Sequence, residues 1–243
     1  MLVLKILGIA VGVAASAALL LVLLFFVCSL LVDTKKTYEE ESPFYRWMID
    51  VVCFFAVHCT RTRLHVSGKS AFPKGRYLLV QNHLSNVDPF FTMCAFKNEK
   101  LIFVSKPSNF RIPIVGPTIH RCLFMAIDRE NPRNAIMTIN RASEIIANNK
   151  GNVAIYPEGT RNMTGETLLP FHNGVFKIAQ RANVPIVVTS IKGAEKIREN
   201  FPWRATDVSV DVLGVIPAEE LKGKGTAEIG ERVEKMLRKH LEP

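Results

Sequence analysis

The 243-residue sequence lacks several features that are typical of other protein classes. No Pro-, Gly- or Ser-rich linker divides the chain, and neither a repeat at a fixed period nor a low-complexity tract is visible. These absences exclude tandem domains, solenoids and long disordered segments. We therefore expect one sizeable folded domain.

Cysteine is also scarce, with five residues and no C-x-x-C spacing. This pattern argues against the common zinc and dithiol motifs, and the odd number in mostly apolar surroundings predicts reduced thiols. No cluster of His, Cys and carboxylate residues has the spacing of metal ligands, so we expect no metal. The cysteines are Cys28, Cys53, Cys59, Cys94 and Cys122.

Charge is absent from a long N-terminal stretch, because no charged residue occurs between Ile6 and Val32. At a rise of about 1.5 Å per residue, such a helix is longer than the roughly 30 Å hydrocarbon core of a bilayer. The stretch predicts a transmembrane helix over about 6–32. A cleaved signal peptide with Lys5 at its basic end is the rival interpretation, although signal cores are shorter, at about 7–15 apolar residues.

A second apolar segment follows, and its large side chains recur at helical spacing. These side chains are Phe44, Trp47, Met48, Val51, Val52 and Phe55. The pattern predicts an interfacial helix over about 43–57, and membrane lipids as partners. Packing against the catalytic domain is the alternative, because Trp and Phe suit both settings. We divide the chain into a membrane anchor, 1–60, and a catalytic domain, 61–243.

The formal net charge is +9, with a pI near 9.4. A basic protein favours an anionic partner, which is nucleic acid, an anionic membrane or a phosphorylated substrate. Because the basic residues do not form one stripe, no nucleic-acid partner is expected.

Short β-type runs alternate with helical patterns after Gly68. The predicted strands are Tyr77–Gln81, Leu101–Val104, Leu123–Ile127, Val153–Tyr156 and Ile186–Ser190. One helix is predicted from Pro132 to Asn149, with Asn131 as its N-cap and a core face of Ile136, Ile139, Ala142, Ile145 and Ile146. Another begins near Gly174, and a last one begins at Thr226. This alternation predicts an α/β fold with a mostly parallel sheet and flanking helices, preceded by the two membrane helices.

Polar clusters follow three of the predicted strands: Asn82-His83, Asp128-Arg129 and Pro157–Arg161. If those strands are parallel, the clusters share one edge of the sheet. Ligands of open α/β sheets bind at the carboxyl ends of the strands. One crevice would then hold an imidazole, carboxylates and guanidinium groups, which is the composition of a catalytic site.

His83 and Asp88 are five residues apart, about 140° out of register on an ideal helix. A turn must therefore separate them if they are to pair. Asp88 precedes Pro89, which makes it a natural helix N-cap. Taken alone, His83 is also compatible with a core histidine.

Four blocks of residues resemble the glycerolipid acyltransferase family, which contains the 1-acylglycerol-3-phosphate acyltransferases. Asn82–Asp88 resembles the N-H-x-x-x-x-D signature, and Phe124–Arg129 resembles the second block. Tyr156–Arg161 resembles the F-P-E-G-T-R block, and Val184–Val188 a proline-centred apolar block. Their common order, from about Tyr77 to Ser190, makes the resemblance specific.

The resemblance implies transfer of a fatty acyl group from acyl-CoA or acyl carrier protein to the sn-2 hydroxyl of 1-acylglycerol 3-phosphate, giving phosphatidic acid. It implies no cofactor. His83 would be the general base, and Asp88 would orient it, as in a Ser-His-Asp triad. The substrate hydroxyl would take the place of the enzyme's serine.

The resemblance also suggests which residues hold the acceptor. Arg129 and Arg161 suit its phosphate, because a guanidinium group matches two phosphate oxygens at once. Lys106 is a third candidate, with a solvated surface lysine as the alternative. For Arg129 the alternative is a structural ion pair with Asp128.

The third block supplies the remaining substrate-binding candidates. Glu158 would hold glycerol hydroxyls or orient Arg161, Gly159 would let backbone approach the ligand, and Thr160 lies between Gly159 and Arg161. Tyr156 stands where the family usually has Phe. The segments Phe44–Phe55 and Asn109–Ile119 are candidates to line an acyl passage, with ordinary packing as the alternative.

Other functions stay open at this point. The acceptor is alternatively glycerol 3-phosphate or another lysolipid. A thioesterase or lipid hydrolase would use the same pair with water or Ser85, although no G-x-S-x-G elbow is present. A basic membrane-binding module without activity is the third class. We expect a membrane location, in a bacterial cytoplasmic membrane with the catalytic domain on the cytoplasmic face.

Overall fold

The structure is a computed structural model that describes residues 1–128 and 130–242. Its helices are α1 (Leu2–Leu30), α2 (Pro43–Cys59), α3 (Asp88–Ala95), α4 (Val115–Arg121), α5 (Pro132–Ala147), α6 (Lys177–Ala182), α7 (Ile197–Asn200) and α8 (Thr226–Leu241). Its strands are β1 (Thr62–Ser67), β2 (Leu78–Gln81), β3 (Leu101–Ser105), β4 (Met125–Ala126), β5 (Asn152–Ile155), β6 (Ile186–Lys192) and β7 (Thr206–Ile216).

The strands form one sheet in the order β1-β7-β6-β2-β5-β3-β4. The five strands from β6 to β4 are mutually parallel, whereas β7 is antiparallel to β6 and parallel to β1. The strands β2 and β5 are buried along their whole length, as strands covered on both faces should be. The predicted fold class, a mostly parallel α/β sheet with flanking helices, is confirmed.

All five predicted strands are present, but their lengths differ and two strands were not predicted. The strand β4 covers only Met125–Ala126, and Leu123 before it has a φ of 64°, which is incompatible with extended backbone. The missed strands β1 and β7 alternate polar with apolar residues instead of forming apolar runs. They lie at the antiparallel end of the sheet, where one face is more exposed.

The structure confirms most of what the sequence predicted for α5. Asn131 is the N-cap, and its side chain accepts a hydrogen bond from the backbone of Asn134 at 3.2 Å. The predicted core face is buried except at its start, where Ile136 is 55% exposed. That assignment was wrong, because Ile136 lies to one side of the buried face of α5, which is centred on Ile139, Ala142 and Ile146. Before α6, a 3-10 turn at Asn173–Phe176 replaces the predicted helix start at Gly174.

The helix α2 has two different faces. Met48, Ile49, Cys53 and Val57 are buried, and α2 packs against α3, α4 and β1. The opposite face exposes four aromatic side chains: Phe44, Trp47, Phe54 and Phe55. Packing therefore explains only one face of the helix, and the predicted interfacial role of the other face stays a prediction.

The helix α1 is almost wholly exposed, with only Phe25 and Ser29 buried. Within the described residues, it is the one helix long and apolar enough to cross a membrane. It runs over Leu2–Leu30 rather than 6–32. Tyr45 on α2 donates a hydrogen bond from its hydroxyl to the carbonyl of Cys28, at 2.8 Å, which ties the two helices together. The division of the chain at residue 60 stays a prediction.

Candidate active site

The carboxyl ends of four parallel strands surround one cavity of about 680 Å³. The neighbours β2, β5, β3 and β4 all end on the same edge, as their shared direction requires. Their ends bring His83, Tyr156, Lys106 and Ile127 to the cavity wall. The expectation that separate polar clusters meet at one edge therefore holds for the clusters after β2 and β5.

His83 and Asp88 form a hydrogen-bonded pair beside this cavity. The distance from His83 Nδ1 to Asp88 Oδ2 is 2.8 Å, and the Asp88 side chain is fully buried. Because an ionised carboxylate can only accept hydrogen bonds, Nδ1 carries the proton of a neutral imidazole. The other ring nitrogen, Nε2, is then a proton acceptor, as a general base requires.

Asp88 Oδ2 also accepts hydrogen bonds from the backbone amides of Leu84, at 2.7 Å, and Ser85, at 2.8 Å. These bonds form the turn that lets residues five apart come into contact. The carboxylate thus faces the preceding turn, and Asp88 is the first residue of α3, with Val87 in the cap position and no side-chain cap. The prediction that Asp88 caps α3 was wrong, because Asp88 is already the first residue of the helix and its carboxylate is turned back toward Leu84 and Ser85.

Glu158 holds the backbone around His83. Its Oε1 accepts from the amide of His83 at 2.8 Å, and its Oε2 accepts from the amide of Leu169 at 2.9 Å. The side chain is buried, and burial raises the pKa of its carboxyl above the ordinary value of 4.5. Each oxygen thus binds one backbone amide, Glu158 has no hydrogen bond to Arg161 in the described residues, and it is not part of the cavity wall. Its predicted contact with substrate stays a prediction.

A second bond secures the same segment, because the amide of Asn162 donates to the carbonyl of His83 at 2.7 Å. The preceding residue, Asn82, is buried and joins β2 to β6. Its side chain accepts from the amide of Ile191 at 2.8 Å and donates to the carbonyl of the same residue at 3.0 Å. The backbone at His83 is therefore fixed from both sides.

Tyr156 stacks on the imidazole of His83, with ring centroids 4.1 Å apart and planes 11° from parallel. Burial raises the pKa of its hydroxyl well above 10. That hydroxyl and Asp88 Oδ1 are both buried without a hydrogen-bond partner among residues 1–128 and 130–242. Sequence reasoning missed the contact between the rings, and the signal was a polar aromatic residue at the end of an apolar strand.

The other predicted substrate residues lie in different environments. Arg161, Lys106 and Gly159 line the cavity. Gly159 has a φ of 71° at the end of a turn closed by its amide and the carbonyl of Tyr156, a conformation that favours glycine. Thr160 is exposed and is not part of the cavity wall. Arg129 lies outside the described residues, and so does its predicted pairing with Asp128.

His172 also lines the cavity and was not predicted. Its amide donates to the carbonyl of Pro157 at 2.9 Å, which brings a later segment back to the third block. No motif marks this residue, although its place beside Asn173 and Gly174, just before a helical segment, was a weak signal. In the described part of the chain, no group of three or more His, Cys, Asp or Glu residues could hold a metal ion.

A smaller apolar cavity of about 50 Å³ lies between α1, α2, α3 and α4. Met48, Ile49 and Val52 line it from α2, and Ile114, Val115 and Ile119 from the α4 segment. Both segments that were predicted to line an acyl passage therefore contribute. Pro89, next to Asp88, lines this cavity and the large one.

Known proteins resemble this chain in sequence and in structure. A family model described as Acyltransferase matches residues 63–192, which is more than half of the chain. A crystal structure of the 1-acyl-sn-glycerophosphate (LPA) acyltransferase PlsC from Thermotoga maritima matches with a TM-score of 0.66 at 21% identity. The match covers 81% of this chain and 78% of that one, and at this identity it establishes the fold alone.

Three curated relatives carry the name 1-acyl-sn-glycerol-3-phosphate acyltransferase. That of Saccharomyces cerevisiae is 32% identical over 56% of this chain and 45% of its own length. That of Helicobacter pylori is 28% identical over 63% of this chain and 62% of its own length. The alpha form of Bos taurus is 28% identical over 70% and 60%. The chain thus spans about half the length of the curated relatives it matches.

Proposed function

The chain belongs to the Acyltransferase family, and from that premise we propose that it acylates the sn-2 hydroxyl of 1-acylglycerol 3-phosphate to give phosphatidic acid. The donor is an acyl thioester, acyl-CoA or acyl carrier protein. One observation carries the proposal: the His83–Asp88 pair lies beside a cavity that Arg161 and Lys106 also line. The names of the relatives support the choice of acceptor.

The tautomer of His83 determines the path of the proton during the reaction. Nε2 removes the proton of the acceptor hydroxyl as its oxygen attacks the thioester carbonyl, and Asp88 stabilises the imidazolium that results. The tetrahedral intermediate then expels the donor's thiolate, which takes the proton back from His83. An ester bond forms, a thioester bond breaks, and no enzyme nucleophile is required.

Binding of the acceptor relies on charge at one end and apolar surface at the other. Arg161 and Lys106 supply positive charge to the acceptor's phosphate at the cavity wall. The small apolar cavity behind Pro89 accepts the start of an acyl chain, since its lining is wholly apolar. Its position between α1 and α2 supports entry of the chain from a membrane.

The helix α1 would tether the enzyme to the membrane in which its lipid acceptor resides. The family match and the apolar helix support membrane association. Placement of the catalytic domain on the cytoplasmic face of a bacterial membrane is part of the proposal, because acyl-CoA and acyl carrier protein would reach it there.

The proposal is tested with membranes that carry the wild type, His83→Ala or Asp88→Asn. We expect acyl transfer to fall by about 10²–10⁴ in both variants, the typical contribution of general base catalysis. His65→Ala is the matched control, because His65 is an exposed histidine on β1 away from the cavity. Its rate should equal the wild type.

The same assay separates the alternatives when acceptors and donors are varied. A preference for glycerol 3-phosphate or another lysolipid over 1-acylglycerol 3-phosphate would contradict the proposed acceptor. Fast release of free fatty acid from the thioester without any acceptor would instead indicate a hydrolase. Full activity of His83→Ala would show that the pair is not catalytic.

A further inference from the structure

An exposed aromatic loop lies between α7 and β7, outside the site described above. It consists of Phe201, Pro202, Trp203 and Arg204, and we call it the tryptophan loop. Trp203 is 84% exposed and Phe201 is 49% exposed. Such exposure of two large aromatic side chains in four residues has no role in packing the domain.

Topology places the tryptophan loop on the same edge of the sheet as the active site. The strand β7 is antiparallel to β6, so β7 begins at the edge where β6 and the other parallel strands end. His83 follows β2 at that edge. The loop therefore lies on the edge of the sheet that carries the cavity, and its role at that edge rests on the proposed function, in which a lipid acceptor enters there.

Hydrogen bonds join the tryptophan loop to the rest of the domain. The amide of Arg204 donates to the carbonyl of Asn200 at 2.7 Å, and the Asn200 side chain donates to the hydroxyl of Thr206 at 3.0 Å. Arg61 donates from its guanidinium to the carbonyl of Pro202 at 3.1 Å. Since Arg61 follows the last turn of α2, the loop is held against the carboxyl end of that helix.

This connection extends the exposed aromatic face of α2. The helix begins beside α1, where Trp47 contacts Phe25 edge to face, and its 17 residues span about 25 Å. Phe54 and Phe55 are exposed in its last two turns, and Arg61, just beyond the helix, binds the tryptophan loop. Exposed aromatic side chains thus lie at both ends of α2 and on the loop that Arg61 joins to it.

We propose that the tryptophan loop is a second membrane contact, in which Trp203 and Phe201 enter the headgroup region of the bilayer. Indole rings favour this region because it is apolar on one side and wet on the other. Arg61 and Arg204 add positive charge for lipid phosphates, whereas Arg198 and Glu199 on α7 offset each other. With α1 at one end of α2 and the loop at the other, the cavity edge is held against the lipid surface.

The chain has only two tryptophans, which permits a direct test. Full-length Trp47→Phe, in which Trp203 is the sole tryptophan, is reconstituted into vesicles of phosphatidylcholine and phosphatidylglycerol. We expect lipids brominated near the headgroup end of their acyl chains to quench Trp203. Aqueous iodide, which quenches tryptophan side chains that face water, should not quench Trp203 in these vesicles.

Quenching by iodide but not by brominated lipid would overturn the proposal, because Trp203 would then face water. Protection from both quenchers would also overturn it, because protein, such as a second copy of the chain, would then cover the loop. The Trp203→Phe variant reports on Trp47 and α2 in the same vesicles. If brominated lipid quenches Trp47 in this variant but not Trp203 in Trp47→Phe, then α2 contacts the membrane and the tryptophan loop does not. None of these measurements depends on acyl transfer.

Discussion

Single residues at the site are distinguished by which of their atoms are already bonded. Asp88 gives one oxygen to both His83 and the turn before it, and Tyr156 covers one face of the imidazole. Each oxygen of Glu158 binds a backbone amide, that of His83 or that of Leu169. A carboxylate in a motif can therefore serve the reaction by fixing backbone, even when its spacing suggests a substrate contact.

Replacement of Glu158 by Gln tests this positioning role. An amide side chain keeps only one acceptor oxygen, so one of the two backbone amides, of His83 or Leu169, loses its partner. We expect the free energy of unfolding to fall by about 1–3 kcal/mol and kcat to fall, with the KM for the acceptor nearly unchanged. Denaturant unfolding and steady-state kinetics measure both. A large rise in KM with constant kcat would instead support a contact between Glu158 and the substrate.

The raised pKa of Glu158 also predicts a pH dependence of stability. A carboxyl whose folded pKa exceeds its unfolded value binds protons preferentially in the native state, so its contribution to stability declines as pH rises through the interval between the two values. The difference in unfolding free energy between wild type and Glu158→Gln should therefore shrink as pH rises above about 4.5. A constant difference across that interval would contradict the assignment.

Among the secondary-structure elements, the position of His83 depends on how the end of β2 is joined to its neighbours. Asn82 makes two hydrogen bonds to Ile191 on β6, and these add to the bonds that Glu158 and Asn162 make to the backbone of His83. The catalytic histidine of the proposal thus depends on a bond between elements that are far apart in sequence.

Asn82→Ala should weaken both stability and activity. It leaves the amide and carbonyl of Ile191 without the side chain that binds them, at a cost of about 1–3 kcal/mol for each buried group. Asn131→Ala is the matched control, because loss of the α5 cap should cost about 1 kcal/mol without moving His83. Thermal unfolding and kcat are compared for the two variants. Equal effects on kcat would show that the Asn82 bonds do not position the site.

For the whole molecule, the exposed helix α1 and the aromatic surface of α2 stand apart from a well-packed domain. Only Phe25 and Ser29 of α1 are buried, so the domain should not need most of that helix for its stability. Residues 2–20 of α1 are all exposed and almost wholly apolar, as expected of a helix that lies in lipid.

Deletion of residues 2–22 should leave the catalytic domain folded, because the end of α1 that contacts Trp47 and Tyr45 of α2 is retained. We expect an unchanged midpoint of thermal unfolding but slower acylation of an acceptor embedded in vesicles. The rate on the same acceptor dispersed in detergent should be preserved. The full-length chain is the control in both assays. Equal rates of the two proteins on vesicles would contradict an anchoring role for α1.

Local patterns in the sequence were sufficient for much of the fold. The uncharged run beginning at Ile6 predicted α1, the cap at Asn131 predicted the start of α5, and apolar runs predicted the parallel strands. The strands β1 and β7 were missed because their residues alternate between polar and apolar and do not form apolar runs. The correct predictions of α1, α5 and the parallel strands share one cause, since each depends on residues within a few positions of one another.

The sequence by itself determined the family, the fold class and the residues His83 and Asp88 that meet within one turn. Only the tertiary structure decided that Glu158 binds backbone, that Tyr156 stacks on His83, and that Arg61 joins the tryptophan loop to α2. Those contacts link residues 73–141 positions apart, as with Glu158 and His83 or Arg61 and Pro202. Periodicity and spacing describe one element at a time, whereas such contacts depend on the order of strands in the sheet.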